Sequence, residues 1–246
     1  MSTEIVAQSL VLWIKDIVSA AGGKGVVVGM SGGIDSAVAA ALGKRAFPES
    51  TLGIIMPCHS DILDWQHAEL AVRQFGIDCE VVVLDEVFDA LTRVLPSKDY
   101  DIATKRLAES NIKPRLRMVA LYYFANRLDY LVVGTGNRSE ISVGYFTKYG
   151  DGGADLLPLG NLVKGQVSEL AEYLGIPRVI IDKPPSAGLW PGQTDEGQMG
   201  LSYKELDHYL MTGEAPKNIK DKVDSMIIRS SHKRCLSPVP PVFDNC

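Results

Sequence analysis

Cysteine is scarce, with four residues (Cys58, Cys79, Cys235 and Cys246) among 246. They lie far apart and form no C-x-x-C pair, so neither a zinc ribbon nor a thioredoxin-like redox site has support, and reduced thiols are expected. A basic surplus is missing too. Lysine and arginine number 25 against 30 acidic residues, and the net charge of −5 leaves no electrostatic footprint for nucleic acid. No apolar run is long enough to span a bilayer. The first twenty residues lack the basic start, apolar block and small-residue cleavage site of a secretory signal. Instead Ile5, Leu10, Leu12, Trp13, Ile14 and Ile17 alternate with Glu4, Gln8, Lys15 and Asp16, which predicts an amphipathic helix over 1–20. The expected compartment is the cytoplasm, with no membrane or nucleic-acid partner. Internal repeats and linkers are also absent, so residues 1–246 read as one domain.

What is present is a βαβα texture. Residues 25–29, 51–56, 80–84 and 130–134 are short β-branched runs without polar alternation, as in strands buried on both faces. Helical patterns fill 36–47, 62–75 and 100–128, with Pro114 expected to break or kink the last. The fold class is therefore α/β, a doubly wound and mostly parallel sheet with helices on both faces. A helix over 164–174 follows a Gly-, Thr-, Asp- and Asn-rich stretch. Residues 182–200 carry Pro184, Pro185, Pro191, Gly188, Gly192 and Gly197, which is loop chemistry. A loop of that length is usually a lid or binding loop, and its Leu189 and Trp190 fit an apolar lid tip. Helices over 201–211 and 218–229 precede a Pro-rich tail.

The chemistry concentrates in Gly29-Met30-Ser31-Gly32-Gly33-Ile34-Asp35-Ser36, placed after a strand and opening a helix. Glycines there let backbone amides approach an anion, and the helix N-terminus adds positive potential. A plain strand-to-helix turn capped by Ser36 or Asp35 is the simpler reading. The Walker A pattern fails because Gly43-Lys44 is followed by Arg45. Gly134-Thr-Gly136 imitates a dinucleotide fingerprint but lacks its last glycine. Gly29-Met-Ser31-Gly-Gly33 does satisfy the nucleophile-elbow pattern, with Asp155 and His232 following in hydrolase order. A serine hydrolase using Ser31 therefore stays open, as does a non-catalytic ATP-binding sensor.

Ser31-Gly-Gly-Ile-Asp-Ser36 resembles the S-G-G-x-D-S loop of the N-type ATP pyrophosphatases, which cleave ATP between its α and β phosphates. Further blocks narrow the resemblance. Asn111-Ile-Lys-Pro-Arg115 with Arg117-Met118, Gly134 to Glu140, Gly144 to Gly153, Leu162-Val-Lys164, Pro185 to Glu196 and His232-Lys-Arg234 are similar to NAD synthetase, in family order. The resemblance implies ATP-dependent amidation of deamido-NAD with ammonia, giving NAD, AMP and pyrophosphate through an acyl adenylate.

It also implies roles. Gly29, Met30, Ser31, Gly32, Gly33, Ile34, Asp35 and Ser36 would cradle ATP, with Thr135, Lys164 and Ser186. Asp35 and Glu140 would hold Mg²⁺. Arg115, Lys148, Asp155, His232 and Lys233 would bind deamido-NAD, and Asp151 is a candidate ammonium-site group. No protein nucleophile is required. Read from residues alone, Glu140 is a first-turn carboxylate and Arg115 a surface arginine. Residues 1–25 are too short for the amidase domain of glutamine-using members, so free ammonia is the expected nitrogen source. The resemblance further implies a homodimer with the dinucleotide site near the subunit interface, and residues 182–200 would order over both bound substrates.

Overall fold

The computed structural model describes residues 1–96, 101–190 and 192–241. Tyr100, Pro191 and Cys246 fall outside the described residues. Four parallel strands lie in the order β3–β2–β1–β4: β1 Gly25–Met30, β2 Thr51–Ile55, β3 Asp78–Val81 and β4 Tyr130–Val133. Side chains alternate across the central strand. Val26, Val28 and Met30 enter one core and Val27 enters the other. Both faces are covered, which is why β1 shows no polar alternation.

One covering layer is α1 (Thr3–Ala20), α2 (Ile34–Ala46), α3 (Ile62–Phe75) and α8 (Lys164–Leu174). α2 is enclosed on nearly every side, with Ala37 through Gly43 all buried. Its run of alanines lets sheet, α1 and α8 close around it. The opposite layer is α4 (Asp85–Val94) and α6 (Ile112–Leu128), packed on Val27, Ile54 and Val132. A third core joins α7 (Arg138–Val143), α10 (Asp195–Met199), α11 (Tyr203–Thr212) and α12 (Lys217–Arg229) through Val143, Met199, Leu206 and Val223. α5 (Ile102–Ser110) and α9 (Arg178–Ile181) complete the α-helices of the described residues, and a 3-10 turn follows at Ser231–Lys233. After α12, Arg234 donates to the carbonyls of Ser142 at 2.9 Å and Ile227 at 2.6 Å, tying the C-terminal segment to α7.

The doubly wound expectation holds, and three local expectations change. The pattern over 100–128 is two helices, separated at Asn111. Pro114 does not break the second, because it sits in the first turn of α6, where a missing N–H costs no helical hydrogen bond. The strand expected at 80–84 begins earlier, at Asp78, two residues after the left-handed Gly76 that ends α3, and lies exposed at the sheet edge rather than buried on both faces. Residues 182–200 are not wholly irregular. Thr194 caps α10 by accepting the Gly197 amide at 3.2 Å, a start signal hidden among prolines and glycines.

Strand order decides where a ligand goes. From β1 the chain moves to β2 on one side, while β4 lies on the other. The carboxyl ends of β1 and β4 thus flank the switch point at which open α/β sheets present a crevice.

Candidate active site

At that crevice the chain leaves β1 through Ser31, Gly32 and Gly33 and enters α2. Ser31 Oγ donates to Ser36 Oγ at 3.0 Å, and Ser36 Oγ donates to the Gly33 carbonyl at 2.9 Å. Gly32 has φ of +75°, and a Cβ there would stand 2.1 Å from the Asp64 carbonyl oxygen of α3. Only glycine fits between the turn and that helix. The first turn of α2 carries no side-chain cap, so its amides and dipole are left for a ligand. They open into a cavity of about 440 Å³ lined by the turn, the ends of β2 and β4, α6 and residues 183–189.

A charged cluster stands beside the turn. Lys164, buried at the start of α8, bonds the carboxylate of Asp35, and its Nζ lies 3.6 Å from Glu140 Oε1. Asn137 Nδ2 also donates to Asp35, at 2.9 Å. Glu140 and Asn137 form a capping box that starts α7. Burial and the neighbouring Asp35 push the Glu140 carboxyl up to about 8, against the pull of Lys164. Burial works against the Lys164 ammonium, but Asp35 and Glu140 outweigh it and hold the lysine protonated. Beneath it, Asp207 of α11 accepts the Gly165 amide at 2.8 Å and the Ser139 hydroxyl, which fixes the N-terminus of α8 against α7.

The segment over the cavity is tied down by polar contacts. Tyr203 OH lies 3.3 Å from Glu140 Oε1 and 3.1 Å from Asp195 Oδ2, its one proton shared between the two carboxyls. Tyr145 OH reaches Asp195 Oδ1 at 3.1 Å, and Gln193 Nε2 donates to Tyr145 OH at 3.0 Å. Lys183 bonds Asp64, and Lys113 donates to the Leu189 carbonyl at 3.1 Å. The far wall holds Arg117, whose Nε donates to the Met56 carbonyl at 3.1 Å and whose Nη2 donates to Ser60 Oγ at 3.2 Å. Asp151 faces the same space, accepting the Thr147 amide at 2.9 Å, and burial raises its carboxyl above the usual range.

Most residues singled out in the sequence meet here. Gly29, Met30, Ser31, Gly33, Ile34, Asp35, Ser36, Thr135, Glu140, Asp151, Lys164, Ser186 and Lys233 line the cavity. Gly32 backs onto α3 instead. Arg115, Lys148, Asp155 and His232 do not line it. Lys148 Nζ donates to the His232 carbonyl at 2.6 Å, and Arg115 reaches the Lys148 carbonyl at 3.4 Å, so these three gather next to the cavity. Asp155 accepts the Tyr122 hydroxyl at 3.0 Å and the Val132 amide at 2.8 Å beside β4. No hydrolase triad forms: Ser31 bonds Ser36, the His232 ring lies 3.1 Å from the Arg229 carbonyl, and Asp155 is taken by Tyr122 and Val132.

Residues 6–237 match the family model described as NAD synthase. The chain belongs to the NAD synthase family. It is 52% identical over 233 residues to an NH(3)-dependent NAD(+) synthetase of Carboxydothermus hydrogenoformans, covering 95% of this chain and 96% of the relative. A relative of the same description from Syntrophomonas wolfei is 47% identical and matches along the full length of both chains. Among solved structures, an NMN synthetase from Francisella tularensis superposes with a TM-score of 0.91 at 37% identity, covering 98% of this chain and 100% of that one. An NH3-dependent NAD synthetase from Campylobacter jejuni gives a TM-score of 0.80 at 25% identity, covering 98% of this chain and 100% of that one.

In this member of the NAD synthase family, several residues in or beside the cavity carry no role from sequence alone. Arg117 and Asp195 lay inside recognised blocks, yet nothing in their spacing showed that both face one cavity. Asp64, Lys183 and Tyr203 carried no local signal, because each reaches the site only through the packing of α3, α11 and the 183–189 segment.

Proposed function

We propose that the chain is a carbon–nitrogen ligase that amidates deamido-NAD with ammonia, consuming ATP and releasing AMP and pyrophosphate. One observation carries the reading: an uncapped helix N-terminus, two serine hydroxyls and a lysine–carboxylate cluster converge at the switch point of the sheet. The substrate carboxylate attacks the α-phosphorus, the bond to the β-phosphate oxygen breaks, and pyrophosphate leaves. Ammonia then attacks the acyl carbon, loses a proton, and AMP departs. Such a reaction needs aligned anions and charge neutralisation more than a nucleophile from the protein.

The α2 amides with Ser31 and Ser36 would cradle phosphate oxygens, and the hydroxyls of Thr135 and Ser186 would add contacts from the facing loops. Lys164 would offset the charge of the departing pyrophosphate. Asp35 and Glu140 fit Mg²⁺, which takes one or two carboxylates together with substrate phosphates. Their donor set is hard oxygen, both face the cavity, and no larger group of metal-binding side chains occurs among the described residues. The ion would supply neutralisation of phosphate charge when bound.

Arg115, Lys148 and His232 would complete a dinucleotide site next to the cavity, with Lys233 inside it and Asp155 beside β4. Arg115 lies on α6 near Val119 and Tyr123, apolar side chains that are 60% and 56% exposed, and these support a homodimer formed across this helix. No helix among the described residues is long and apolar enough to cross a membrane. We place the enzyme in the cytoplasm as one catalytic domain.

The test is product analysis after incubating the protein with ATP, Mg²⁺, ammonium and deamido-NAD. NAD, AMP and pyrophosphate are expected; ADP and phosphate would remove the reading. The likeness to an NMN synthetase favours a second reading, in which the acid is nicotinate mononucleotide. A parallel incubation with that acid compares the two. Glutamine in place of ammonium is expected to give no amide.

A further inference from the structure

Four cationic side chains line the cavity among the described residues, and the protein pairs two of them with carboxylates. Lys164 has Asp35 and Glu140, and Lys183 has Asp64. Lys233 donates to the carbonyls of Gly144 and Phe146, each at 2.8 Å. Arg117 is the fourth. It bonds the Met56 carbonyl and Ser60 Oγ, and among the described residues no carboxylate forms an ion pair with it. A guanidinium has five N–H donors in one plane, so its Nη1 side is left without a protein acceptor. Burial already works against its charged form. Asp151 and Asp64 favour the cation from nearby but neither bonds it, so the free edge of this partly buried guanidinium is left for a ligand oxyanion.

The bonds it does make are those of a prepared receptor. Met56 follows β2 and Ser60 precedes α3, while Arg117 itself comes from the first half of α6. Three elements thereby fix the plane of the fork and aim its open edge at the cavity, the geometry that takes a carboxylate or phosphate bidentately. Lys164 bonds Asp35 of the turn and Arg117 bonds Met56 just past β2, so the two cations enter the cavity from different elements.

We propose that Arg117 is a substrate-binding residue that receives a substrate oxyanion, either a phosphate of ATP or the carboxylate or phosphate of the second nucleotide. This rests on the nucleotide-amidation reading. The test uses the full chain with Arg117→Met and Arg117→Lys, titrated by calorimetry with ATP–Mg²⁺ and separately with deamido-NAD, alongside thermal melting. Arg117→Met is expected to weaken one of the two ligands tenfold or more, to leave the other within about twofold, and to melt near the wild type. Arg117→Lys is expected to recover part of that affinity, because it restores charge but not the fork. The ligand that responds identifies the source of the oxyanion. Unchanged affinity for both would overturn the proposal. So would a parallel loss of both with a lowered melting temperature, since that marks Arg117 as a prop for the β2–α3 loop. A wild-type protein that binds both nucleotides yet forms no amide would instead defeat the amidation reading and leave this comparison standing.

Discussion

The ammonium of Lys164 bonds the carboxylate of Asp35 across 129 positions of sequence, and Glu140 Oε1 lies 3.6 Å from the same nitrogen. Two acids this close, in a partly desolvated site, need positive charge beside them. Asp35→Asn and Glu140→Gln should each lower turnover on the order of a hundredfold or more, as loss of one preorganised electrostatic group commonly does. Circular dichroism should show the fold retained. Gln at position 140 can still serve the capping box with Asn137, so a structural role alone would survive that change. Near-normal turnover of Glu140→Gln at limiting Mg²⁺ would return Glu140 to helix capping and nothing more.

Gly32→Ala should damage both stability and ATP use. Its φ of +75° costs a non-glycine residue about 1–3 kcal/mol, and the added Cβ would meet the Asp64 carbonyl oxygen at 2.1 Å. Turn and α3 must separate to admit it, which moves Ser31 and the α2 amides away from their common focus. Thermal melting and ATP titration check this together. Unchanged ATP affinity would mean that the turn is not the phosphate site.

Asp151 gives a pH signature. Burial raises its carboxyl above the unfolded value, so the folded protein holds this proton more tightly than the unfolded chain. Stability from this group is therefore greatest below the unfolded carboxyl range and falls as pH rises through the raised value. Asn keeps an acceptor for the Thr147 amide but carries no charge. Asp151→Asn should melt higher than the wild type at neutral pH, with the gap narrowing in acid. Its turnover at low ammonium should fall. If stability rises while ammonium dependence stays as in the wild type, Asp151 has no part in the nitrogen site.

The sheet was readable because β1, β2 and β4 are largely covered strands, whose apolar runs do not depend on distant neighbours; β3 is an exposed edge strand, and its bounds were misplaced. The turn was readable because Ser31, Gly32, Gly33, Asp35 and Ser36 act within one contiguous stretch. α4 escaped notice although Val87, Phe88, Leu91 and Val94 recur at helical spacing; it is only ten residues long, and none of its side chains is fully buried. α10 was hidden for a different reason, since five residues with a glycine among them are too short to show a period. Tyr203, Asp195 and Arg117 belong to the site through tertiary packing, and no spacing along the chain encodes that.

The segment over residues 182–200 is expected to close and order over the two bound nucleotides. Its ties to the body are mainly polar: Lys183 to Asp64, Lys113 to the Leu189 carbonyl, and Tyr145 and Tyr203 to Asp195. Trp190 rests under the Arg106 guanidinium, 5.0 Å from ring centroid to Cζ, rather than inside one of the apolar cores. Burial lowers the proton affinity of Lys113, so its bond to Leu189 is made by a cation that water would stabilise better. Segments held by few apolar contacts open at low free-energy cost. Closure matters here because an acyl adenylate exposed to water would hydrolyse before ammonia arrived. With Trp13 and Trp65 replaced by Phe, the remaining Trp190 emission should shift to the blue when ATP and deamido-NAD are both added. Proteolysis between residues 183 and 198 should slow under the same conditions. A segment equally protected with and without the two substrates would be a fixed wall of the cavity, and exclusion of water would then have to come from the substrates themselves.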